Sequence, residues 1–514
     1  MTPGVLRRFL DQPGNRAAAV SLDTTTWTFD DMLGKALAIA GLLRACRGVA
    51  GRVVLVRSGP GPLFSACDLG VLLAGGVPAV LPDMTPDGLG AAWRAVRPAA
   101  LLDASGDGQG SLGGAAARAG TAVHRVTAGA PAPAGTPARW RAEARDLAGA
   151  CHSAAAVVFT SGATGTPRAV VLGGAALARG TDAWTACWPA LPQRALSYLP
   201  VSHVAQRIMG HLLMCLYGTT VAESAPGRVE HDLEQRRPDT LLGVPRTWSR
   251  LAAACEAGGE EGARARTALA GIRVAVNGAA VLDPATASAL HRHAGLQVIG
   301  AYGATETTVP AFCQWNAALP GLGEPVGVEH RVTEDGELLL RGPNLAIGYA
   351  DRWPALRPVT DGGGWLHTGD RVTADGGGEL VLSGRAGSAF KTGSGEMISP
   401  EPAEACLLAC PQVDAACLLG AGLPGAVAVV SVPSAATWAT AVTVGLERDL
   451  LRHAEEARRR GELPWSDLAA VRVVTDSWPA LGLVTSTGKP RRDLIAARYS
   501  RLAATALEEP RDHQ

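Results

Sequence analysis

The sequence predicts an α/β protein with largely parallel sheets, and three observations lead to this prediction. Short apolar runs alternate with amphipathic stretches of helical period through most of the 514 residues, a pattern typical of strands alternating with helices. From about Arg331 the pattern changes to short strands and turns, and after Arg385 a smaller segment has helix-like and strand-like pieces of its own. A chain of this length exceeds what one hydrophobic core holds, so we expect at least two domains.

The apolar runs are interpreted as strands because they are short and end at Gly or at polar residues. In chain order they are Val53–Val56, Ala79–Leu81, Ala155–Phe159, Ile272–Val276 and Leu296–Ile299. Further on, Gly336–Leu340 and Gly378–Leu382 begin at Asp-Gly or Gly-Gly pairs, which favour hairpin turns. Gly and Ser residues then interrupt the pattern, and we place a domain boundary between residues 1–384 and 385–514.

Two other stretches require a choice between structures. Phe64–Leu81 is the most membrane-like part of the chain, but Asp68, three glycines and Pro78 interrupt it. We therefore expect a buried helix followed by a strand and no transmembrane segment. Gly106–Ala138 is rich in Gly, Ala and Pro, a composition that predicts a surface loop or excursion.

The overall composition excludes several classes of protein. Hydrophobic residues make up 47% and charged residues 18%, which indicates a globular chain. Basic and acidic residues both number 47, so the zero net charge gives no reason to expect a nucleic acid partner. Met1–Arg8 lacks the apolar core of a signal peptide, and ten cysteines without a CxxC pair are typical of reduced thiols. We expect a cytoplasmic protein.

Lysine is unusually rare in this chain. Of the 47 basic residues only Lys35, Lys391 and Lys489 are lysines, and the other 44 are arginines. A lysine retained against this bias supplies what arginine lacks, a compact ammonium on a flexible stem. Chance is the alternative explanation for any one of the three.

The first of four short motifs with chemical potential is Phe159–Arg168, which follows an apolar strand. Its glycines let backbone amides approach phosphate oxygens, and its hydroxyls and Arg168 add donors and charge. This suits a loop that binds a triphosphate, although it is not a Walker A motif. A surface turn of Gly and Thr is an equal alternative for this motif alone.

The second motif, Gly300–Thr307, follows another apolar run. Tyr302 between small residues can present its ring to a purine, and Glu306 beside threonine hydroxyls offers oxygen ligands to Mg²⁺. Taken alone, an ordinary strand end with a solvated glutamate explains it better.

The third and fourth motifs lie in the last third of the chain. Trp365–Asp370, with Arg385 after the next hairpin, offers a carboxylate that can accept ribose hydroxyls. Thr485–Arg492 contains Lys489 in a basic, glycine-containing stretch. A Gly-Asp turn and a solvated basic loop are the plain alternatives.

Together and in this order, the four motifs resemble the superfamily of acyl-CoA synthetases, nonribosomal-peptide adenylation domains and firefly luciferases. The resemblance extends from about Trp27 to Ile495, and long-chain fatty acyl-CoA synthetases are the most similar. Four further segments look like their LPLAHxxER, GVPRVWE, GAAPLDP and KTSGGENVSPE sequences, namely Leu199–Arg207, Gly243–Trp248, Gly278–Pro284 and Lys391–Glu401.

The resemblance implies a fold of two parts with the active site between them. A large N-terminal domain reaches to about Gly384 and holds mixed, largely parallel sheets with helices and a small β-rich subdomain. A small, mobile α+β C-terminal domain follows, and its rotation separates two half-reactions.

The resemblance also implies roles for single residues. Lys489 bridges the substrate carboxylate and the α-phosphate, Lys391 enters the site in the second step, and His203 is a gate beside the acyl group. Thr160 and Glu306 are the implied Mg²⁺ ligands. The implied contacts of the phosphates are Thr160, Ser161, Gly162, Ala163, Thr164, Gly165, Thr166 and Arg168. Those of the adenosine are Gly278, Ala279, Ala280, Ala301, Tyr302, Gly303, Ala304, Thr305, Asp370 and Arg385.

The function implied is ATP-dependent activation of a carboxylic acid, fatty or otherwise hydrophobic, to acyl-AMP, with transfer to a thiol. ATP, Mg²⁺ and coenzyme A are the expected cofactors. One alternative acceptor is an acyl-carrier protein or another nucleophile. An alternative of another class is a degenerate homologue that binds a nucleotide without catalysis.

Several positions depart from the family pattern. Arg168 stands where Lys is usual, Ala163 replaces a hydroxyl residue, and Ala169 replaces glycine. Asn277 replaces Ser or Gly, and Gly387 occupies the hinge position where Asp or Lys is common. Arginine still pairs phosphate oxygens, whereas glycine relaxes the backbone of the hinge. The balance between the two half-reactions is therefore the expectation most affected.

Overall fold

Two large, mostly parallel sheets form the part of the chain up to Arg385, as the alternation of strand and helix predicts. The computed structural model describes residues 3–46, 48–82, 86–105, 111–129, 132–148, 153–160, 167–433, 440–460, 468–485 and 488–508. Among these residues, no helix is both long and apolar enough to span a bilayer.

The helices and strands are numbered in chain order. The first group is α1 (Pro3–Leu10), β1 (Ala17–Val20), β2 (Thr26–Thr28), α2 (Phe29–Ala45), β3 (Val53–Arg57), α3 (Pro62–Leu73), β4 (Val77–Val80), α4 (Pro86–Val96), β5 (Ala100–Asp103), α5 (Ser111–Arg118), β6 (Ala122–Arg125), α6 (Pro137–Ala148), β7 (Ala154–Thr160), β8 (Arg168–Gly173) and α7 (Gly174–Ala186). The second group is β9 (Arg194–Ser197), α8 (Val204–Arg207), a π-helical turn (Ile208–Leu212), α9 (Leu213–Tyr217), β10 (Thr220–Glu223), α10 (Val229–Arg236), β11 (Thr240–Gly243), α11 (Pro245–Glu256), α12 (Gly259–Ala270), β12 (Val274–Asn277), α13 (Pro284–Ala294) and β13 (Val298–Tyr302). The third group is β14 (Phe312–Gln314), β15 (Glu324–Pro325), β16 (Glu329–Val332), β17 (Glu337–Arg341), β18 (Gly348–Arg352), β19 (Ala355–Arg357), β20 (Leu366–Ala374) and β21 (Leu380–Arg385). The last group is β22 (Phe390–Lys391), β23 (Met397–Ile398), α14 (Glu401–Leu408), β24 (Ala415–Leu419), β25 (Ala426–Ser431), α15 (Thr440–Arg459), β26 (Leu468–Val474) and α16 (Arg492–Glu508). Short 3₁₀ turns cover Pro226–Arg228 and Thr305–Thr307.

The nine-stranded sheet has the order β15-β14-β13-β12-β11-β9-β10-β1-β2. Its inner pairs from β13 to β1 are parallel, and the outer pairs are antiparallel. Since β12 and β13 are parallel neighbours, with Asn277 paired to Gly300, the loops after these two strands emerge at the same edge. This brings the second motif beside the Gly278–Ala280 segment.

The eight-stranded sheet has the order β19-β18-β8-β7-β4-β3-β5-β6. Strands β7 and β8 form an antiparallel hairpin in which Thr160 pairs with Arg168, so the hairpin presents the two ends of the first motif. Ser161, Gly162, Ala163, Thr164, Gly165 and Thr166 lie outside the described residues.

A four-stranded antiparallel sheet, β16-β17-β20-β21, is the small β-rich part expected after Arg331. Asp370 of β20 pairs with Arg385 of β21 in register. The backbone pairing therefore places these two candidate residues side by side.

The segment after Arg385 has its own cores. Its two hydrophobic clusters contain residues between Phe390 and Leu507, whereas the clusters of the large sheets end at Leu382. Within the part of the chain that the structure describes, no hydrophobic cluster crosses the 384–387 region.

Most of the predicted elements are confirmed, and one prediction is wrong. Phe64–Leu81 forms α3 and β4, as expected of a buried helix followed by a strand. Gly106–Ala138 is not a loop throughout, because it contains α5, β6 and the beginning of α6. Glycines in α5 weaken its local helix signal, but Ala116 is fully buried against the eight-stranded sheet. Tertiary burial overrides the local composition here.

A buried ionic cluster joins α3 to the helical stretch after His203. Asp68 contacts the guanidinium of Arg207 and, at 3.0 Å, Nε2 of His211, and all three side chains are almost fully buried. Burial by itself would lower the pKa of His211, but Cys215 and Asp68 outweigh it and raise that pKa to about 9. Burial would raise the pKa of Asp68, but Arg207 and His211 hold it below its usual value. The cluster is therefore fully ionised at neutral pH.

The raised pKa of His211 predicts a pH-dependent stability. In the unfolded chain the pKa of a histidine is near 6.5, so the folded state binds the proton more tightly. The contribution, about 3 kcal/mol, is complete below about pH 6.5 and is lost as the pH rises through about 9. The free energy of unfolding, measured in urea, should be lower at pH 9 than at pH 6.5. The difference between the two pH values should be smaller in His211→Gln than in the parent. An equal pH dependence in parent and variant would contradict the role of His211.

Candidate active site

Asp370 is the centre of the candidate site. Its Oδ2 accepts a hydrogen bond of 2.7 Å from the hydroxyl of Tyr302, and its Oδ1 lies 3.2 Å from Nε of Arg385. Its backbone N–H donates to Oγ1 of Thr368 at 3.1 Å, which fixes the turn. The structure thus brings together residues of the second and third motifs that are 68 positions apart in the chain.

Tyr302 is held rigidly at the end of β13. Its ring packs edge-on against Phe312 with centroids 6.1 Å apart. Burial and the Asp370 carboxylate raise the pKa of Tyr302, so the hydroxyl stays a donor. Glycine suits the next position, because a Cβ on Gly303 would lie 3.0 Å from Oγ1 of Thr307 and 3.1 Å from Cα of Pro310, which is closer than most Cβ contacts.

The neighbours of Tyr302 form a short, well-bonded turn. Ala301 packs against the main hydrophobic core. The N–H of Ala304 donates to Oγ1 of Thr307 at 3.1 Å, and Thr305 begins the 3₁₀ turn that carries Glu306. These contacts fix the backbone next to the tyrosine.

The Gly278–Ala280 segment leaves β12 through a strained turn. Ala279 has a φ of +72°, a conformation that costs a residue with a Cβ some free energy. The N–H of Gly278 donates to the carbonyl of Gly243, and Nδ2 of Asn277 donates to the carbonyl of Ala280 at 2.8 Å. Asn277, one of the departures from the family pattern, thus holds the turn in place.

Tyr349 is a site residue that the motifs did not reveal. Its hydroxyl donates to Oε1 of Glu306 at 2.9 Å. Burial and Glu306 raise the pKa of Tyr349 to about 12, and the charge of Arg168 acts in the opposite direction. Tyr349 follows Gly348 in β18 and pairs with Val170 of β8, two residues after Arg168. This strand pairing is the feature that could have revealed it. Glu306, Arg168 and Tyr349 therefore form one polar group.

Lys489 lies in a tight loop before α16. Its N–H donates to Oγ1 of Thr485 at 3.0 Å, and its carbonyl accepts from the N–H of Thr485 at 2.8 Å. Gly488 has a φ of +81°. Burial and Arg385 lower the pKa of Lys489, whereas Asp370 and Glu401 raise it. The ammonium is crowded by protein atoms, yet the side chain stays accessible to solvent, as expected in a deep but open cleft.

His203 approaches the same cleft from the large sheets. It caps the N-terminus of α8, where Nδ1 accepts from the N–H of Ala205 at 3.4 Å. Burial, and after it the charge of Lys489, lowers the pKa of His203 to about 4. The ring is therefore neutral at pH 7, and its charge neighbour is a residue of the segment after Arg385.

Lys391 is placed differently from Lys489. It is exposed in β22, where it pairs with Met397, and its carbonyl accepts from the N–H of Gly422 at 3.2 Å. Among the described residues, these contacts lie within the segment after Arg385. The structure thus brings Lys489, and not Lys391, to Asp370 and Arg385.

One ion pair connects the large sheets with the last segment away from this cleft. Arg246 at the start of α11 contacts Asp414 just before β24. Burial raises the pKa of Asp414, and Arg246 and Arg250 act against it. Two arginines one turn apart on α11 therefore face this carboxylate.

Known proteins resemble this chain in sequence along most of its length. Residues 6–350 match the family described as AMP-binding enzyme. A putative fatty-acid–CoA ligase of Mycobacterium tuberculosis, fadD11, is 26% identical over 410 residues, which cover 67% of this chain and 72% of that protein. The long-chain-fatty-acid–CoA ligase ACSBG1 of Bos taurus is 29% identical over 315 residues, covering 48% of this chain and 42% of that protein.

Solved structures show the same fold. The anthranilate CoA ligase AuaEII in complex with anthranoyl-AMP has a TM-score of 0.77 at 18% identity, over 99% of this chain and 98% of that one. MatB from Rhodopseudomonas palustris with bound ATP has a TM-score of 0.74 at 20% identity, over 98% of this chain and all of that one. The predicted fold class, mixed sheets with a small α+β part at the C-terminus, is confirmed.

The Arg246–Asp414 pair should help to hold the segment after Arg385 against α11. Arg246→Glu brings two carboxylates together, so we expect the contact to weaken by up to about 1 kcal/mol. Tryptic cleavage at Arg385 should become a few times faster in this variant. The charge-swapped variant Arg246→Glu/Asp414→Arg restores the pair, so its cleavage should be slower than that of Arg246→Glu, although Arg250 then faces the new cation. Arg264→Glu, in an exposed pair within α12, is the matched control, and equal cleavage of all four proteins would contradict the prediction.

Proposed function

From the premise that the chain belongs to the family of AMP-binding enzymes, we propose that it joins a carboxylic acid to the thiol of coenzyme A in two steps. In the first step the carboxylate attacks the α-phosphorus of ATP, an acyl-AMP forms and pyrophosphate leaves. In the second step the thiol attacks the acyl carbon, the bond from that carbon to the phosphate oxygen breaks, and AMP leaves. The enzyme is then an AMP-forming acid–thiol ligase.

The observation that carries this proposal is the group around Asp370. Tyr302 and Arg385 bind its carboxylate, and the charge of Lys489 reaches the same place. A carboxylate at this position can accept ribose hydroxyls, and the tyrosine ring offers a face for the adenine. Three motifs distant in sequence thus form one nucleoside site with an ammonium at its edge.

The first step requires positive charge, because two anions must meet. Lys489 supplies a compact ammonium that reaches both the substrate carboxylate and the α-phosphate. His203 stays neutral beside it, and because Nδ1 accepts a hydrogen bond, the proton is on Nε2. We infer that this N–H donates to an oxygen of the reacting carboxylate. In this way His203, the candidate gate residue, would also orient the acid.

The Mg²⁺ ion that accompanies ATP fits the residues present. Among the described residues, no cluster of three or more His, Cys, Asp or Glu could hold a metal. Mg²⁺ does not require such a cluster, because it is commonly bound through one or two carboxylates together with substrate phosphates. Glu306 and the hydroxyl of Thr160 are the proposed ligands, and the ion would neutralise charge on the phosphates. Arg168, close to the Glu306–Tyr349 pair, would bind a phosphate oxygen.

The second step requires a different arrangement of the chain. We propose that residues 1–384 and 385–514 are separate domains, because each has its own hydrophobic cores. In the arrangement described, Lys489 is in the cleft and Lys391 is exposed outside it. Rotation about the 385–388 segment would exchange them, and the thiol would then be received near Lys391.

The acid proposed is a fatty or other hydrophobic acid. The support is the similarity to a fatty-acid–CoA ligase and to a long-chain-fatty-acid–CoA ligase. Carboxylate-dependent exchange of pyrophosphate into ATP, measured over a panel of fatty and aromatic acids, identifies the acid. Product analysis with coenzyme A and with a phosphopantetheinylated carrier protein identifies the acceptor. Cytoplasmic location stays a prediction from the sequence.

Lys489→Ala should abolish acyl-AMP formation almost completely. Loss of a pre-placed donor at a developing charge costs about 10²–10³ in rate, and here the donor also offsets repulsion between two anions. The measurement is pyrophosphate exchange with the best acid of the panel. Exchange at the parent rate in this variant would contradict the role of the lysine, and absence of exchange in the parent with every acid would contradict the proposed function.

Lys391→Ala is the reciprocal test. We expect pyrophosphate exchange to survive, because Lys391 lies outside the cleft in this arrangement. Thioester formation from acyl-AMP and coenzyme A should fall by about 10-fold or more, the scale of a lost charged contact. Parallel loss of both reactions would argue against a separate role in the second step.

A further inference from the structure

A buried ion pair ties the Lys489 loop to α14. Arg492, three residues after Lys489, donates from Nη1 to Oε1 of Glu404 at 2.5 Å and from Nη2 to Oε2 at 2.6 Å. Glu404 is almost fully buried and also accepts from the N–H of Leu418 at 2.8 Å. Bidentate pairing of a planar guanidinium with a carboxylate fixes direction as well as distance. The loop therefore leaves its anchor in one defined orientation.

Glu401, one turn earlier on α14, connects the same anchor to the segment after Arg385. Its Oε1 accepts from the hydroxyl of Ser388 and lies 3.9 Å from Nη2 of Arg492. Its charge also raises the pKa of Lys489. Glu401 thus lies between the 385–388 segment and the lysine loop, and both carboxylates of the first turn of α14 face this loop.

The other end of the loop is fixed by hydrophobic packing. Leu483 and Val484 are buried in the cluster that contains Trp478 and Ile495. The N–H of Arg491 donates to the carbonyl of Leu483 at 2.8 Å, which closes the loop. One end is thus held by apolar contacts and the other by the Arg492–Glu404 pair. A misplacement of about 1 Å at a reacting group can cost about 100-fold in rate, so these anchors matter for catalysis.

We propose that Arg492 and Glu404 are positioning residues that place the ammonium of Lys489 for acyl-AMP formation. The proposal rests on the function proposed above for Lys489. Neither residue touches the substrate in this scheme, because Glu404 is buried in the last segment and Arg492 is directed towards it. Their effect should therefore be confined to the step that uses Lys489.

The test removes both charges together. Loss of one partner would leave an unpaired buried charge and destabilise the segment, whereas neutral replacement of both partners is often tolerated. In Arg492→Met/Glu404→Gln we expect kcat for pyrophosphate exchange to fall by about 10–100-fold. KM for ATP should change by less than about 3-fold, because Tyr302 and Asp370 keep their contacts. Transfer from supplied acyl-AMP to coenzyme A, which uses Lys391, should stay near the parent rate and report that the segment is folded.

A matched control lies on the same helix. Arg498 of α16 pairs with Asp476 at an exposed site, and Arg498→Met should keep both reactions at parent rates. Parent exchange in the double variant would overturn the proposal. An equal fall in both half-reactions would also overturn it, because it would show a purely structural pair.

A second readout does not depend on activity. Backbone amide hydrogen exchange reports the Lys489 loop through the N–H groups of Thr485, Lys489 and Arg491. We expect these amides to lose protection in the double variant, while the amides of β24 and β25 keep it. Unchanged loop protection would overturn the proposal. If the parent showed no pyrophosphate exchange with any acid, the proposed function would fail, and this readout would still decide whether the ion pair positions the loop.

Discussion

The carboxylate of Asp370 is the interaction on which the rest of the candidate site depends. It receives the hydroxyl of Tyr302 from the nine-stranded sheet and the guanidinium of Arg385 from the four-stranded sheet. It also attracts Lys489 from the last segment, while Arg385 repels that lysine. Two cations thus act on Asp370, and Glu401 is a second carboxylate near Lys489. Charge-assisted hydrogen bonds are stronger than neutral ones, so an anionic ligand would pair with the guanidinium and the ammonium more strongly than water does.

The sequence predicted most of the strands, and the pairing of those strands explains why candidate site residues from different motifs lie close together. The roles of these residues stay predictions. The carboxyl ends of parallel strands meet at one edge, so Gly278–Ala280 and Gly300–Thr307 come together without any further signal. Contacts between side chains far apart in sequence left no local pattern. Tyr349 with Glu306, Arg246 with Asp414 and Asp68 with Arg207 are separated by 43, 168 and 139 residues. Such pairs follow from tertiary packing, which also made a helix and a strand of the stretch predicted as a loop.

Environment, and not residue type, decides the state of His203 and His211. His203 caps the N-terminus of α8, and His211 lies in the π-helical turn that follows that helix. Burial and the charge of Lys489 lower the pKa of His203 and keep it neutral, whereas Cys215 and the carboxylate of Asp68 raise the pKa of His211 and keep it charged. The charged histidine and Arg207 both contact Asp68 and so fix this stretch to α3. π-Helical turns are frequent at functional sites, and here the turn begins within two helical turns of His203, the candidate gate residue.

The positions of two of the three lysines give the composition argument a physical basis. Lys35 is buried in α2, where Nζ donates to the carbonyl of Thr127 at 3.3 Å and burial lowers its pKa. A guanidinium is larger and carries five donors that must all be satisfied, so arginine would fit that site poorly. Lys489 meets a related constraint in the cleft, where Arg385 already occupies the space beside Asp370. A second planar cation would compete for the same carboxylate, whereas a slender ammonium can lie beside it, as the role proposed for Lys489 requires. At these two positions size and reach, and not charge alone, favour lysine over arginine.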